Sequence, residues 1–317
     1  MKLANAKSIS RDEWLEIRQK GIGGSDVGSI FGLNKYKSPM QLWLEKTGKI
    51  ESPNISNKLA VRLGNMLEDT VAQLFTEETG LEVKRNNFVL QHNDYPFMLA
   101  NIDREGKDKE GKRFILECKT AGSYASKDWQ GEDIPLTYEL QVMHYLIVTG
   151  YDYGYIACLI GNQQFVIKKI ELDEKNKEII IAREKEFWAR VENNEMPPVD
   201  SSKACSTMLA EMYPEAKNDS TIILDNDVDA KLQIREELKS QVKVLEEKID
   251  LIDNEIKAII QDNESATTEN FKISWKNVTT NRFDSTSFKK SYPDLAEKFN
   301  KASVSRRFEI KTINKGE

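Results

Sequence analysis

The 317-residue chain is 39% hydrophobic and 31% charged, with a formal net charge of −6. That supports a buried core and excludes a disordered chain, while the acidic balance argues against a protein that coats nucleic acid over its whole surface. Cys118, Cys158 and Cys205 stand far apart with no Cys-x-x-Cys pair, which excludes a disulfide framework, a zinc ribbon and a four-cysteine iron–sulfur cluster.

In chain order, MKLANAKSISRDEW has no apolar signal core, so a cytoplasmic protein is expected. Ser10 and Glu13 form a capping-box pattern that opens a first helix, with Gly21 as its stop. GIGGSDVGSIFG reads as a glycine-rich turn leading into a short helix. Ser38-Pro39 opens a third helix. GNMLEDTVAQLFTEETG is amphipathic, with Leu67, Val71, Leu74 and Phe75 as its buried stripe. Strands follow at 87–91, 97–103 and 113–120, the last two joined as a hairpin through a loop with Gly106 and Gly111. LTYELQVMHYLIVTG is a buried helix ending at Gly150, followed by a second hairpin that turns at Gly161-Asn162. The apolar run across this junction is broken by Gly150, Asp152 and Gly154 and is no membrane span. A charged helix over 173–194 precedes MPPVDSS, the expected exit from a domain of residues 1–200, and 201–227 reads as a linker with a short helix.

The remainder, 228–317, changes character. Leu238, Val242, Leu245, Ile249, Ile252, Ile256 and Ile259 recur in steps of 4 and 3, a heptad seam that implies a coiled coil, either a hairpin within the chain or a zipper between chains. FKISWKNV and RRFEIKTI read as strands around a helical SFKKSYPDLAEKF. Residues 271–317 carry eleven Lys/Arg against five Asp/Glu, a net of +6 that leaves −12 for residues 1–270. Such a tail suits either a DNA contact or a solvated surface.

The chemistry concentrates at FILECKT. With side chains alternating at period 2, Phe114, Leu116 and Cys118 share one face and Ile115, Glu117 and Lys119 the other. Acid-x-Lys alone is weak: it recurs at Glu82/Lys84, Asp173/Lys175, Glu237/Lys239, Glu246/Lys248 and Glu255/Lys257. Upstream, FMLANIDREG ends its apolar run at Asp103, where a neighbouring strand would deliver a carboxylate to Glu117. Two adjoining carboxylates repel unless a cation lies between them, and Mg²⁺ takes a few carboxylate oxygens, water and a substrate phosphate. A lysine beside such a site orients or deprotonates water, the latter if burial lowers its pKa. Cys118 would act through its backbone carbonyl and not its sulfur.

Asp103 with Glu117-Cys118-Lys119 resembles the PD-(D/E)-x-K nuclease signature. The ordered blocks W-x-x-x-R…GGSD, GNMLED, ANIDRE, LECKT and YELQVMHYL, over about residues 10–200, resemble the YqaJ-type viral recombinase family, relatives of phage lambda exonuclease; the C-terminal coiled coil is also similar to members of that family. The resemblance implies an α/β nuclease core with a mixed central sheet flanked by helices, followed by a coiled-coil and basic α+β module. It implies Mg²⁺ (or Mn²⁺ in its place) on Glu68, Asp103, Glu117 and the Cys118 carbonyl, with Lys119 as the catalytic lysine. Arg18 and Ser25 resemble the pair that holds a terminal 5′-phosphate, and Gln141 the phosphate-proximal glutamine, with Tyr145 one turn further on the same face. Two positions depart from the pattern: Ile102 replaces the proline before Asp103, and Asn101 stands where lambda-like enzymes offer serine to the phosphate.

The expected activity is 5′→3′ degradation of one strand of duplex DNA, leaving a 3′ single strand for recombination in a bacterial or phage-infected cell. The expected partners are double-stranded DNA, a single-strand annealing recombinase and further copies of the chain, often as a trimeric ring. Two other readings stay open on the residues alone: a structure-specific or restriction-like endonuclease, and a non-catalytic DNA-binding assembly protein.

Overall fold

The computed structural model describes residues 1–131, 133–301 and 305–311. The chain divides into two compact units, Met1–Tyr213 and Pro214–Glu317.

The first unit is mixed α/β, as expected. Its elements are β1 (Lys2–Asn5), α1 (Arg11–Gln19), β2 (Ile22–Gly23), α2 (Gly24–Ile30), α3 (Pro39–Lys46), α4 (Leu59–Thr79), β3 (Val83–Arg85), β4 (Phe88–Gln91), β5 (Met98–Ala100), β6 (Arg104–Lys107), β7 (Arg113–Ala121), α5 (Leu136–Thr149), β8 (Tyr153–Ile160), β9 (Gln164–Ile170), α6 (Glu174–Glu192) and α7 (Lys203–Met212). Local chemistry sets many of these ends. Ser10 and Glu13 cap α1 reciprocally, Ser38 accepts from the Gln41 N–H with Pro39 in the first turn of α3, and Asp173 caps α6. Gly150 ends α5 at φ +66°, a left-handed stop that glycine takes without a Cβ penalty.

A five-stranded sheet in the order β3-β6-β7-β8-β9 forms the centre. Only β7 and β8 run parallel, joined through α5. Alternation along β7 is realised. Phe114 and Leu116 pack with Val71, Ala72 and Phe75 of α4 on one face, and Cys118 rests against that cluster. Ile115 points the other way, into the larger core with Val142 and Leu146 of α5. The sheet thus lies between two helices, each filling the hydrophobic face offered to it.

The stretch 97–103, read as one strand, is strand only over Met98–Ala100. β5 belongs to a smaller sheet, β1-β4-β5-β2, whereas β6 pairs with β7, so the chain crosses between sheets at Asn101-Ile102-Asp103 and the hairpin with β7 is made by β6. Gly106 accordingly lies within β6, not in the loop. The GIGG run is likewise more than a turn, since Ile22 and Gly23 pair in parallel with Met98 and Leu99. Parallel pairing sends the ends of β2 and β5 out on the same side.

The unit also extends past the expected exit at residue 200. α7 packs against the core with Cys205 and Met208 buried, because its apolar side chains need a partner that a linker helix would lack. No helix among the described residues is long and apolar enough to cross a membrane.

The second unit holds α8 (Asn226–Ile260), a short hairpin of β10 (Ser265–Thr267) and β11 (Lys272–Ser274), α9 (Ser285–Ser291) and α10 (Pro293–Phe299). The heptad segment is one unbroken 35-residue helix, which removes the reading in which it doubles back as a helical hairpin. FKISWKNV supplies β11, but its partner is the 265–267 segment. RRFEIKTI has no strand over its described residues 306–311, and its last two lie outside the described residues. The helical stretch 287–299 is broken before Pro293, whose ring cannot continue the preceding turn.

Candidate active site

Asp103 stands at the crossing from β5 to β6. The β6–β7 register sets Arg104 opposite Leu116, and continuing it by one residue sets Asp103 opposite Glu117. The Asp103 Oδ2 accepts a hydrogen bond from the Cys118 N–H at 2.8 Å. Burial, then the charge of Glu117, push the Asp103 carboxyl well above the usual carboxylate range. Glu117 is 4% exposed. Its Oε1 accepts from Lys119 Nζ at 2.6 Å and from Gln141 Nε2 at 2.7 Å, while Oε2 is buried with no hydrogen-bond partner. A carboxylate oxygen stripped of water and left unpaired is costly, and beside a second carboxyl it is the donor set a divalent cation satisfies. The residues therefore fit the implied metal at Asp103 and Glu117.

Of the two roles open to Lys119, its surroundings favour orienting water over deprotonating it. Burial alone would lower its pKa, but Glu117 at 2.6 Å and the nearby Asp103 reverse the sign and hold it above the ordinary lysine value. It is an ammonium here, lying 4.9 Å from the Tyr138 ring centroid and donating to Gln141 Oε1 at 3.0 Å, and not a poised base. For Cys118 the expectation of inert sulfur agrees with the structure: burial, then the charges of Asp103 and Glu117, push its thiol far up.

Glu68 occupies the edge of the α4 stripe, half-buried, near enough to act on Asp103 electrostatically. Its carboxylate is nevertheless taken by Arg104 at 2.5 Å and Arg85 at 3.1 Å. Arg104 is 3% exposed and also bonds Asp69 and the Asp103 carbonyl. A guanidinium that deeply buried requires acidic partners, so it competes with any cation for Glu68. Among the described residues no three Asp, Glu, His or Cys side chains gather closely enough to hold a metal ion as they stand, which corrects the expected three-acid convergence. Sequence reasoning missed Arg104, although it directly follows Asp103. Its partners lie 35 and 36 residues away on α4, a spacing with no local signature.

A second cluster forms where β2 and β5 end together. Arg18 Nη2 donates to Ser25 Oγ at 3.1 Å and stacks on Trp14. Ser25 lies one residue inside α2, whose cap is Gly23 and not Ser25. Beneath it, Asp26 and Lys46 form a buried ion pair at 2.7 Å. Burial alone would raise the Asp26 carboxyl, but Lys46 and Arg18 overcome that and hold it far below the usual range. Asn101 is half-buried at the end of β5, two residues before Asp103.

Tyr145 and Gln141 join the two clusters. Gln141 Nε2 donates to Tyr145 Oη at 3.1 Å as well as to Glu117. A Cβ at Gly24 would lie 2.5 Å from the Tyr145 ring and 3.0 Å from Gln141 Cγ, so α2 reaches α5 only because residue 24 is glycine. Gly24→Ala is expected to displace both side chains, costing about 1–3 kcal/mol. Thermal melting checks the cost, and an unshifted Tm would show that the ring moves aside freely.

Residues 13–152 match the family described as the YqaJ-like viral recombinase domain. The protein YqaJ of Bacillus subtilis (strain 168) is 40% identical over 315 residues, covering 98% of each chain. Among solved structures, an alkaline exonuclease from Laribacter hongkongensis overlays 63% of this chain and 99% of its own, at 17% identity and TM-score 0.49. A phage-related exonuclease from Haemophilus somnus 129PT overlays 63% and 99%, at 14% identity and TM-score 0.42.

Proposed function

This chain belongs to the YqaJ-like viral recombinase family, and from that premise we propose that it is a Mg²⁺-dependent nuclease degrading duplex DNA from its 5′ end to leave 3′ single strands. The observation that supports this most directly is the pairing of Asp103 with Glu117, whose Oε2 is buried without a partner beside the Lys119 ammonium. Asp103, Glu117 and the Cys118 carbonyl would hold the cation, with Glu68 joining if it leaves Arg104. When bound, Mg²⁺ neutralises charge on the scissile phosphate and makes nearby water more acidic.

The remaining work falls to the chain itself. Lys119 stays protonated, so it orients water by donating a hydrogen bond and offsets negative charge as the phosphate is attacked. Gln141 fixes both Lys119 and Glu117 through one amide and is itself steadied by Tyr145. At the other cluster, Arg18 and Ser25 present a fork-shaped cation and a hydroxyl to a terminal 5′-phosphate, with Asn101 as a further donor nearby. Asp26 is neutralised by Lys46, so it does not repel that phosphate. In this reading the protein acts in a bacterial or phage-infected cytoplasm, supplying single strands to an annealing recombinase.

The test uses linear duplex carrying 5′-phosphate or 5′-hydroxyl ends, circular duplex, and Mg²⁺. The parent digests the phosphorylated linear substrate, and Lys119→Ala slows it by at least about 100-fold, the range lost with one charge-stabilising donor. Arg18→Ala removes most of the preference for 5′-phosphate, about 10–100-fold, as expected for a charge-assisted contact worth about 1.5–3 kcal/mol. Cutting of the circle would favour an endonuclease, and no digestion at all would favour a non-catalytic DNA-binding protein.

A further inference from the structure

Six of the seven seam residues of α8 are exposed: Leu238 55%, Val242 52%, Leu245 57%, Ile249 58%, Ile252 55% and Ile259 80%; Ile256 is half-buried. We propose that α8 is a self-association element, pairing with α8 of a second copy of this chain in a parallel, in-register coiled coil.

Three observations carry this. The first is length and continuity. The seam runs unbroken along a 35-residue helix for about 30 Å at 1.5 Å per residue, and it repeats over more than three heptads, enough to specify a coiled coil over a merely amphipathic surface helix. The second is shape. In this register Val242, Ile249 and Ile256 take position a, while Leu238, Leu245, Ile252 and Ile259 take position d. β-branched side chains at a with Leu at d through the first heptads favour two parallel strands.

The third is charge, which names the occupant and its direction. Lys248 falls at position g and Asp253 at the following e, so a parallel copy brings each Lys248 against the other chain's Asp253, twice by symmetry. Gln241 and Glu246, the preceding such pair, are compatible. An antiparallel arrangement would instead set Glu246 against Asp253, acid on acid, along one flank. Among the described residues neither Lys248 nor Asp253 has an ion-pair partner within its own chain. A seam that complements itself in charge and in packing is best covered by its own copy.

The full-length protein, without DNA or metal, is measured by sedimentation at micromolar concentration. The parent is expected to be oligomeric, and Ile249→Lys with Ile252→Lys should weaken association by about 100-fold, since each chain would bury two ammoniums in the seam. Lys248→Glu should weaken it and Lys248→Glu with Asp253→Lys restore it. Val242→Cys should form a disulfide-linked pair under mild oxidation, because only a parallel, in-register seam sets Val242 against Val242; the same cysteine with Ile249→Lys and Ile252→Lys should not. A monomeric parent, an oligomer indifferent to the lysines, or no linked pair through Val242→Cys would each overturn the proposal. None of these readouts depends on cleavage, so they fail independently of the nuclease reading.

Discussion

The Asp103→Asn protein is expected to lose about three orders of magnitude or more in cleavage rate and, with metal chelated, to melt higher than its parent. The loss follows from the proposed role, since the amide keeps the shape but not the charge that would hold the cation. The gain in stability follows from the electrostatics. Asp103 is half-buried beside the Glu117 charge, and desolvation and that charge both oppose its ionisation. The Cys118 N–H it accepts from can be taken equally by an amide oxygen. Removing the buried repulsion is expected to raise Tm by about 2–4 °C, the shift that accompanies roughly 1 kcal/mol in a unit of this size.

The sign can be checked against pH. A carboxyl with a raised pKa binds its proton more tightly folded than unfolded, so the folded state is favoured at low pH. That contribution is lost as pH rises from the unfolded aspartate value of about 3.9 through the raised folded one. The parent and Asp103→Asn curves should therefore lie closest in acid and diverge as pH rises. Curves that stay parallel, or a lower Tm for Asp103→Asn at neutral pH, would mean that Asp103 carries no electrostatic strain. Retained cleavage would remove it from the mechanism.

His144→Ala is expected to destabilise the first unit by about 3–5 kcal/mol, the cost of breaking a buried ion pair from one side. His144 is fully buried on α5, with Nδ1 2.8 Å from Glu184 and Nε2 2.8 Å from the Leu99 carbonyl. Both ring nitrogens face acceptors, which suits a doubly protonated ring. Burial alone would lower its pKa, but the Glu184 carboxylate and the Leu99 carbonyl raise it above the ordinary value. Its contribution to stability should be complete below about pH 6.5, the unfolded value, and fade as pH rises through the raised folded one.

Glu184 has one carboxylate oxygen buried without a partner already, so removing His144 strands the whole group. Chemical denaturation of His144→Ala, and of His144→Ala with Glu184→Leu, separates the effects. The double variant should recover much of the loss, because an apolar replacement leaves no orphaned charge. A single-variant loss below about 1 kcal/mol would show that water or a rearranged donor replaces the imidazole.

What the sequence determined by itself was whatever chemistry acts over a few residues. Ser10 with Glu13 and Ser38 with Pro39 announced helix starts because a cap and the amide it satisfies lie within one turn. Period 2 in FILECKT assigned Leu116 and Ile115 to opposite faces before any sheet was known, and a period of 3.5 marked the α8 seam. Asp103 and Glu117 were legible because the first ends an apolar run and the second interrupts one.

Only the tertiary structure decided which charges meet. Arg104 draws Glu68 away from Asp103, Lys46 neutralises Asp26, and Glu184 sustains His144, at separations of 36, 20 and 40 residues. The direction of the Lys119 pKa turned on the same question, since burial and the Glu117 charge act oppositely and geometry alone weighs them. That the strand expected over 97–103 stops at Ala100, with the next strand starting at Arg104 in the other sheet, depended on where the distant partners β4 and β7 lie. Backbone pattern is a local property, whereas the partner of a buried charge is set by where distant segments cross.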